Sequence, residues 1–276
     1  MATKKELENQ VKLLNSELEA LRSGERIIDI IYPNVEKFVQ WEELKYSLRS
    51  LERNLVDVKF RVWIVGELPA WINEEEVRFI PVEYSEKTPR IDILHKHQAV
   101  INHPEIGEEY IWMNDDIYLV NKVMYADLCL PVVVNDIEAN KQLFDKNTAW
   151  GCDNLRTLNL LKQEGLLSWN YAAHIPHRFE KRKVRTLIEK YNMLDDPIVL
   201  EQIYYNYWFS DFIPYWDTLD LKNNQGFCVN RQFPNMRNLR AQLKSKKYMN
   251  NGEAGMTDDF KEVLKELFPD SSRFEK

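Results

Sequence analysis

Two adjacent carboxylates stand at the end of a short apolar stretch near the middle of the chain. Glu109-Tyr110-Ile111-Trp112-Met113 runs directly into Asn114-Asp115-Asp116. Burying two like charges side by side is costly unless a cation or hydrogen bonds compensate them. Paired carboxylates form an oxygen-rich site that suits Mg²⁺ or Mn²⁺, whose other ligands could be pyrophosphate oxygens and water. The alternative is a solvated turn, because so short a motif also occurs by accident.

Histidines and further acids follow later in the chain. His174-Ile175-Pro176-His177 could bind a metal, hydrogen-bond a phosphate or transfer protons near neutral pH, although such a pair in a loop is more often incidental. Glu201 follows Asp195-Asp196-Pro197 and could be a general base for an acceptor hydroxyl, while the Asp-Pro step also fits a plain helix start. Aromatic residues between 204 and 216 could contact a sugar or a base, or pack in the core.

The elements that must position these groups alternate between strands and helices. Short apolar runs predict strands at 26–32, 60–66, 77–82 and 109–113. Amphipathic patterns predict helices at 41–54, 91–102, 157–165, 181–193, 198–209 and 257–267. This rhythm predicts an α/β fold, in which functional groups collect where parallel strands end. We therefore expect one domain at 24–276 with an appended N-terminal helix at 1–23.

The N-terminal segment has the spacing of a short coiled coil. Its apolar residues are separated by steps of four and three, which are the a and d positions of a heptad: Leu7, Val11, Leu14, Leu18 and Leu21. The segment is shorter than the roughly three heptads usually needed. Docking on the chain's own domain therefore competes with formation of a homodimer.

Composition excludes several classes of protein. The chain has 276 residues and a formal net charge of −7, which argues against a generally basic nucleic-acid surface. A basic stretch from Arg231 to Lys247 could still face phosphates or be a solvated helix face. No run approaches the roughly 18 apolar residues of a membrane span, and no signal region precedes the charged N-terminus, so we expect a cytoplasmic protein. Three scattered cysteines, Cys129, Cys152 and Cys228, predict reduced thiols.

The order of motifs along the chain resembles the Stealth family, the bacterial capsule sugar-phosphate transferases and their animal relatives. The longest match is the helix Glu43-Leu44-Lys45-Tyr46-Ser47-Leu48-Arg49-Ser50, which is similar to that family's Glu-Leu-x-Tyr-Ser-Leu-Arg-Ser. Five further segments match in the same order: 28–32, 62–72, 110–116 with Asn114-Asp115-Asp116, 173–177 with His174, and 226–230 with Asn230. The C-terminal Phe268-Pro269 to Glu275 is similar to the family's Phe-Pro-x-x-Ser-x-Phe-Glu ending.

This resemblance implies a GT-A-like nucleotide-sugar-binding fold with a central, mostly parallel sheet, a nucleotide-diphosphate sugar donor and a divalent metal. It implies that Asp116 holds the metal with Asp115, that Arg49 and His174 bind phosphate oxygens or assist proton transfer, and that Glu201 is a base. The donor would be positioned by Asp29, Tyr32, Asn114 and Asn230. The chain departs from the family at Thr88-Pro89-Arg90-Ile91-Asp92, where the family has Pro-Thr-Phe-Asn-Ser. Sugar transfer and sugar-1-phosphate transfer to a glycan or other hydroxyl acceptor therefore both stay open.

Two other functions fit parts of the sequence. A sugar transferase acting on modified bases in DNA would use the basic stretch after Asn230, with the nucleic acid as acceptor. A catalytically inactive sugar- or partner-binding module would use the N-terminal heptads, and its carboxylates would only be solvated. Turnover of a nucleotide sugar that depends on Mg²⁺ or Mn²⁺ separates the enzyme from the inactive module.

Overall fold

The computed structural model describes residues 27–210, 226–229, 239, 241 and 243–276. The predicted N-terminal helix and its possible dimer contact, Asn230, and most of the basic stretch from Arg231 lie outside the described residues. Strands are β1 (Ile27–Asn34), β2 (Lys59–Gly66), β3 (Val77–Pro81), β4 (Glu109–Trp112), β5 (Ile117–Leu119), β6 (His177–Glu180), β7 (Gly226–Val229) and β8 (Tyr248–Asn251). Helices are α1 (Glu43–Asn54), α2 (Pro89–Asn102), α3 (Tyr125–Leu128), α4 (Ala149–Gln163), α5 (Lys181–Lys190), α6 (Leu200–Trp208) and α7 (Asp258–Leu267).

The central sheet is mostly parallel and has the strand order β3-β2-β1-β4-β6. β1 pairs in parallel with β2 and β4, and β2 pairs in parallel with β3, whereas β6 runs antiparallel to β4. A second sheet of three strands has the order β5-β8-β7. This arrangement confirms the predicted α/β class with a central, mostly parallel sheet.

Apolar residues cover both faces of the central sheet, which is why its strands are nearly continuous runs of apolar side chains. On one face, Ile31 and Trp63 belong to a core cluster with residues of α2, α5 and α6. On the other face, Ile30 packs in a cluster with Leu44, Leu48 and Leu51, the stripe of α1 that the sequence predicts. Both faces of the sheet are therefore packed in apolar cores, and polar functional groups are expected where its strands end.

Most predicted elements are present, and β5, β8 and α3 are additional. Two further differences lie close to the site. The helix predicted from Thr157 begins earlier, at Ala149, because the Thr148 hydroxyl accepts a hydrogen bond from Gly151 N at 3.0 Å and caps it. The strand β6 was not predicted, because four residues with two charged side chains carry no periodic signal of their own. Its backbone is instead specified by pairing with β4. In the described part of the chain, every helix is too short or too polar to span a lipid bilayer.

Candidate active site

The pairing of β4 with β6 brings two distant segments to one edge of the sheet. Trp112 is opposite His177 in an antiparallel pair, so the chain after Trp112 and the chain before His177 leave the sheet at the same end. β1 ends there too, since Met113 N donates to Ile31 O at 2.9 Å. This is the edge formed by the carboxyl ends of the parallel strands, where ligands bind in open α/β sheets.

At this edge the acidic motif meets the histidine loop. His174 Nε2 lies 2.7 Å from Asp116 Oδ1 and 3.5 Å from Asn114 Nδ2. The backbone of the histidine loop is held as well, because Asn250 of β8 donates its side-chain amide to His174 O at 2.7 Å. The structure therefore brings together Asp116, Asn114 and His174, which the sequence predicted as one site.

Charges at this edge influence one another strongly. Burial raises the pKa of Asp115 to about 7, with further contributions from the negative charges of Asp116 and Glu43. Burial lowers the pKa of His174, but the charge and hydrogen bond of Asp116 outweigh it, so that the pKa is raised overall. The site thus concentrates negative charge, which the imidazole of His174 partly offsets.

The residues fit a divalent cation of the Mg²⁺ kind. Within the described residues, no group of three or more His, Cys, Asp or Glu side chains is arranged to hold a metal ion by itself. Mg²⁺ usually binds through one or two carboxylates and takes its other ligands from water and substrate phosphates. Asp115 and Asp116 supply such a pair, and the raised pKa of Asp115 reflects repulsion and burial that a cation would relieve.

A first pocket, which we call the β1 pocket, opens where β1 ends and has a volume of about 280 Å³. Its lining includes Asp115, Asp116 and His174 together with two aromatic rings, Phe38 and Tyr84. These rings meet edge to face with centroids 5.3 Å apart, and Phe38 is 58% exposed. Carboxylates and open aromatic faces thus line the same space.

Lys96 also lines the β1 pocket, although its side chain is buried. It pairs with Asp92, one turn earlier in α2, and Asp92 also accepts a hydrogen bond from Ser85 N at 3.0 Å. The pair fixes the loop that carries Tyr84 against the start of α2. None of these three residues was singled out from the sequence.

A second pocket, which we call the β6 pocket, has a volume of about 230 Å³ and lies between the starts of α2, α4 and α6 and the start of β6. Its lining includes Arg90, Trp150, His177 and Glu201. Both pockets are lined by Ile93, Asn114 and His174. The predicted base Glu201 therefore lies in a space that adjoins the acidic motif.

Two titratable side chains of the β6 pocket, His177 and Glu201, have lowered pKa values. Burial lowers the pKa of His177, whose Nε2 donates to Ala173 O at 2.8 Å. Burial would raise the pKa of Glu201, but the positive charge of Arg90, together with smaller contributions from His177, a backbone hydrogen bond and His97, leaves that pKa lowered. A lowered pKa suits a hydrogen-bond acceptor better than a general base, which works best with a pKa near the ambient pH.

Asp29 and Tyr32 do not line either pocket, in contrast to their predicted donor-binding roles. Asp29 is fully engaged near the other end of β1, where it accepts from Arg61 Nε at 2.7 Å, Trp63 Nε1 at 2.6 Å and Gly107 N at 2.7 Å. Tyr32 is buried, and its hydroxyl lies 3.1 Å from Ser47 Oγ. Both residues fix the sheet that supports the site.

Arg49, for which the sequence predicted a catalytic role, lines neither pocket. Its guanidinium donates to both carboxylate oxygens of Glu275, at 2.8 and 2.6 Å, and to Phe268 O at 3.2 Å. The sequence could not show this contact, because 226 positions separate the two partners. Arg49 therefore attaches the C-terminal segment to α1.

Two residues near the site were not named individually as site residues from the sequence. Glu43 is buried at the start of α1 and contributes to the raised pKa of Asp115. Arg90 lines the β6 pocket within the segment where the chain departs from the family pattern. The position of Glu43 in the best-matched helix was the available signal for the first, and the departure from the family pattern at residues 88–92 was the signal for the second.

Comparison with known proteins supports the motif analysis over part of the chain. No family model matches the sequence. A segment of 105 residues is 30% identical to an exopolysaccharide phosphotransferase of Streptomyces coelicolor, covering 35% of this chain and 18% of that protein. The resemblance to the Stealth family is thereby confirmed. The chain aligns with less than a fifth of this Stealth relative's length.

Solved structures similar to this chain include two glycosyltransferases. One is the galactosyltransferase LgtC in complex with donor and acceptor sugar analogs, with a TM-score of 0.48 and 11% identity over 90% of this chain and 98% of that one. The other is the bifunctional glycosyltransferase WbbM in its apo state, with a TM-score of 0.47 and 12% identity over 89% of this chain and 50% of that one.

Proposed function

We propose that this chain is a metal-dependent transferase that moves a sugar or sugar-1-phosphate from a nucleotide-diphosphate sugar to a hydroxyl group of a glycan or another acceptor. The observation that carries this proposal is that two pockets share Asn114 and His174, beside the carboxylate of Asp116. A two-substrate transfer needs two adjacent binding spaces and a charged centre between them. The Stealth resemblance supports the same class of reaction.

The β1 pocket is the proposed donor site. The nucleobase of the donor can stack on Phe38 and Tyr84, because aromatic side chains stack on any nucleobase. The pyrophosphate would then lie beside Asp115 and Asp116, the two residues that would hold a Mg²⁺ or Mn²⁺ ion. When bound, this cation neutralises the charge that develops on the leaving phosphate.

His174 and Glu201 are proposed to act on the transferred group and the acceptor. His174 can bind a phosphate oxygen or move a proton at Nε2, since it contacts Asp116 and lines both pockets. Glu201 accepts a hydrogen bond from the acceptor in the β6 pocket. Asn114 positions the donor beside His174. A positioning role for Asn230, a nucleic-acid acceptor and a homodimer remain predictions from the sequence.

Two bonds could be made at this centre. If the acceptor oxygen attacks the phosphorus next to the sugar, the bond from that phosphorus to the bridging oxygen breaks, and a nucleoside monophosphate leaves with that oxygen. If it attacks the anomeric carbon, the sugar–oxygen bond breaks and a nucleoside diphosphate leaves. In both cases the acceptor hydroxyl loses its proton. We favour attack at phosphorus, because the curated relative is an exopolysaccharide phosphotransferase.

The test is a panel of nucleotide sugars incubated with the full chain and Mg²⁺ or Mn²⁺, followed by ³¹P NMR of the products. We expect slow hydrolysis of at least one donor, and its loss when EDTA is added. Release of a nucleoside monophosphate indicates sugar-1-phosphate transfer, and release of a diphosphate indicates glycosyl transfer. A panel in which no donor is bound or hydrolysed would contradict the proposal and favour the inactive binding module.

A further inference from the structure

An arginine and a glutamate in the β6 pocket are close without being hydrogen-bonded to each other. Arg90 Nη1 lies 3.9 Å from Glu201 Oε2, and Arg90 Nε lies 3.6 Å from Asp153 Oδ2. Both distances exceed the roughly 2.7–3.2 Å of a hydrogen bond. Among the described residues, buried Arg90 Nε and buried Glu201 Oε2 have no hydrogen-bond partner. Such atoms are nearly always paired in folded proteins. Both side chains line the β6 pocket, so their guanidinium and carboxylate groups are available to a polar ligand there.

The charged groups of Arg90 and Glu201 define the chemistry of a ligand in this pocket. A hydroxyl can accept from the Arg90 guanidinium and also donate to the Glu201 carboxylate, whereas an ionised phosphate or carboxylate oxygen can only accept. Glu201 and Asp153 already oppose the single charge of Arg90. The charges around this point therefore do not favour an anion, which distinguishes the β6 pocket from a phosphate site.

The size and walls of the β6 pocket fit one sugar ring. Its volume of about 230 Å³ is below the roughly 300–1,000 Å³ of pockets that hold drug-sized ligands. Trp150 lines it with a side chain that is 51% exposed, and Trp112 lines it from the end of β4. Indole faces pack on the apolar faces of pyranose rings, while hydroxyl groups at the ring edge take the hydrogen bonds.

We propose that the β6 pocket binds one uncharged pyranose ring of the acceptor, with its hydroxyl groups held by Arg90 and Glu201. The inference rests on the proposed function, which it deepens by naming the acceptor as a neutral sugar. His174 lines both pockets, so a ring bound here places a hydroxyl beside the donor. Arg90 belongs to the segment where this chain departs from the family pattern. The acceptor preference is therefore a property of this chain.

The test is a set of NMR titrations of the full chain with methyl glycosides of glucose, galactose, mannose and N-acetylglucosamine, and with methyl glucuronide as the charged counterpart. We expect at least one neutral glycoside to bind, and the glucuronide to bind more weakly. Arg90→Lys and Glu201→Gln should each raise the Kd of the neutral ligand about tenfold, because each removes a hydrogen bond to a charged group. Arg156→Lys is the matched control, since Arg156 contacts the same Asp153 at 3.3 Å but does not line the pocket.

Three results would overturn the inference: no bound neutral glycoside, glucuronide binding at least as tight as neutral binding, or equal Kd values in Arg90→Lys and Arg156→Lys. If Arg90→Lys fails to fold, Trp150→Ala gives the same test at a half-exposed side chain. Titration with a nucleoside diphosphate reports separately on the β1 pocket. Loss of nucleotide binding alone would reject the proposed function, and loss of glycoside binding alone would reject the acceptor site.

Discussion

His174 Nε2 and Asp116 Oδ1 lie 2.7 Å apart, although 58 positions of sequence separate the two residues. The antiparallel pair of Trp112 and His177 explains how they meet, because it directs both flanking segments to one edge of the sheet. A charged centre is thus assembled from an acidic motif on one strand and a loop that precedes another. The acidic motif and the histidine loop can therefore be tested by separate substitutions.

Asp116→Asn should abolish turnover, by about 10²-fold or more, while the fold stays intact. The substitution keeps the shape of the side chain but removes the charge that would hold the metal. Hydrolysis of the nucleotide sugar and the thermal midpoint should be measured together. Asp270→Asn, at an exposed position near the C-terminus, is the control. Activity near that of the wild type in Asp116→Asn would remove this residue from the site.

His174→Ala should lower kcat by roughly 10²-fold or more, the usual scale for a group that acts in the transition state. His177→Ala should cost much less turnover, because the buried His177 is occupied by a hydrogen bond to Ala173 O and affects mainly stability. Steady-state kinetics of the two folded variants provide the comparison. Equal losses of kcat in His174→Ala and His177→Ala would indicate that the histidine loop has only a structural role.

Phe38→Ala should raise the donor KM about tenfold with little change in kcat, because it removes a stacking face worth roughly 1–3 kcal/mol per base. The side chain is 58% exposed, so the fold should tolerate its loss. Phe79→Ala on β3 is the control, since Phe79 is also partly exposed, at 39%, but does not line the β1 pocket. The same KM in both variants would show that the base binds elsewhere.

Arg49→Met should destabilise the chain and leave the turnover of folded molecules unchanged. The side chains of Arg49 and Glu275 are only 13% and 8% exposed, and breaking such a pair from one side costs roughly 3–5 kcal/mol. Urea denaturation gives the stability, and kcat per folded molecule gives the activity. A variant with normal stability and lost activity would restore the catalytic role that the sequence predicted.

The same ion pair predicts sensitivity to acid. Burial alone would raise the pKa of Glu275, but hydrogen bonds from Arg49 and from Ser272 N outweigh it and lower that pKa. A lowered pKa in the folded state contributes stability that is present above the unfolded value of about 4.3 and is lost as the pH falls through the folded value. The urea concentration at the unfolding midpoint should therefore decrease when the pH is lowered below about 4. The decrease should be smaller in Glu275→Gln than in the wild type. Parallel pH curves for the two proteins would contradict this contribution.

Much of the architecture follows from local patterns. The apolar runs at 26–32, 60–66, 77–82 and 109–113 correspond to β1–β4, because strands covered on both faces are apolar almost throughout. α1 and α2 also lie where the periodicity places them, and in the structure the Thr88 side chain caps α2. The acidic motif at the end of β4 was predictable for the same reason, since a polar pair after a buried strand stands out.

The tertiary structure alone decided which of the candidate residues meet. Side chains distant in sequence converge only through strand pairing and helix docking, and neither is encoded in a local window. Pairing of β4 with β6 brought His174 to Asp116, whereas an ion pair with Glu275 directed Arg49 to the C-terminal segment. Asp29 lies on β1, whose C-terminal end borders the site. Contacts with Arg61, Trp63 and Gly107 hold its carboxylate near the N-terminal end of that strand. The sequence therefore determined the sheet and its acidic edge, and the packing of distant segments determined the composition of the site.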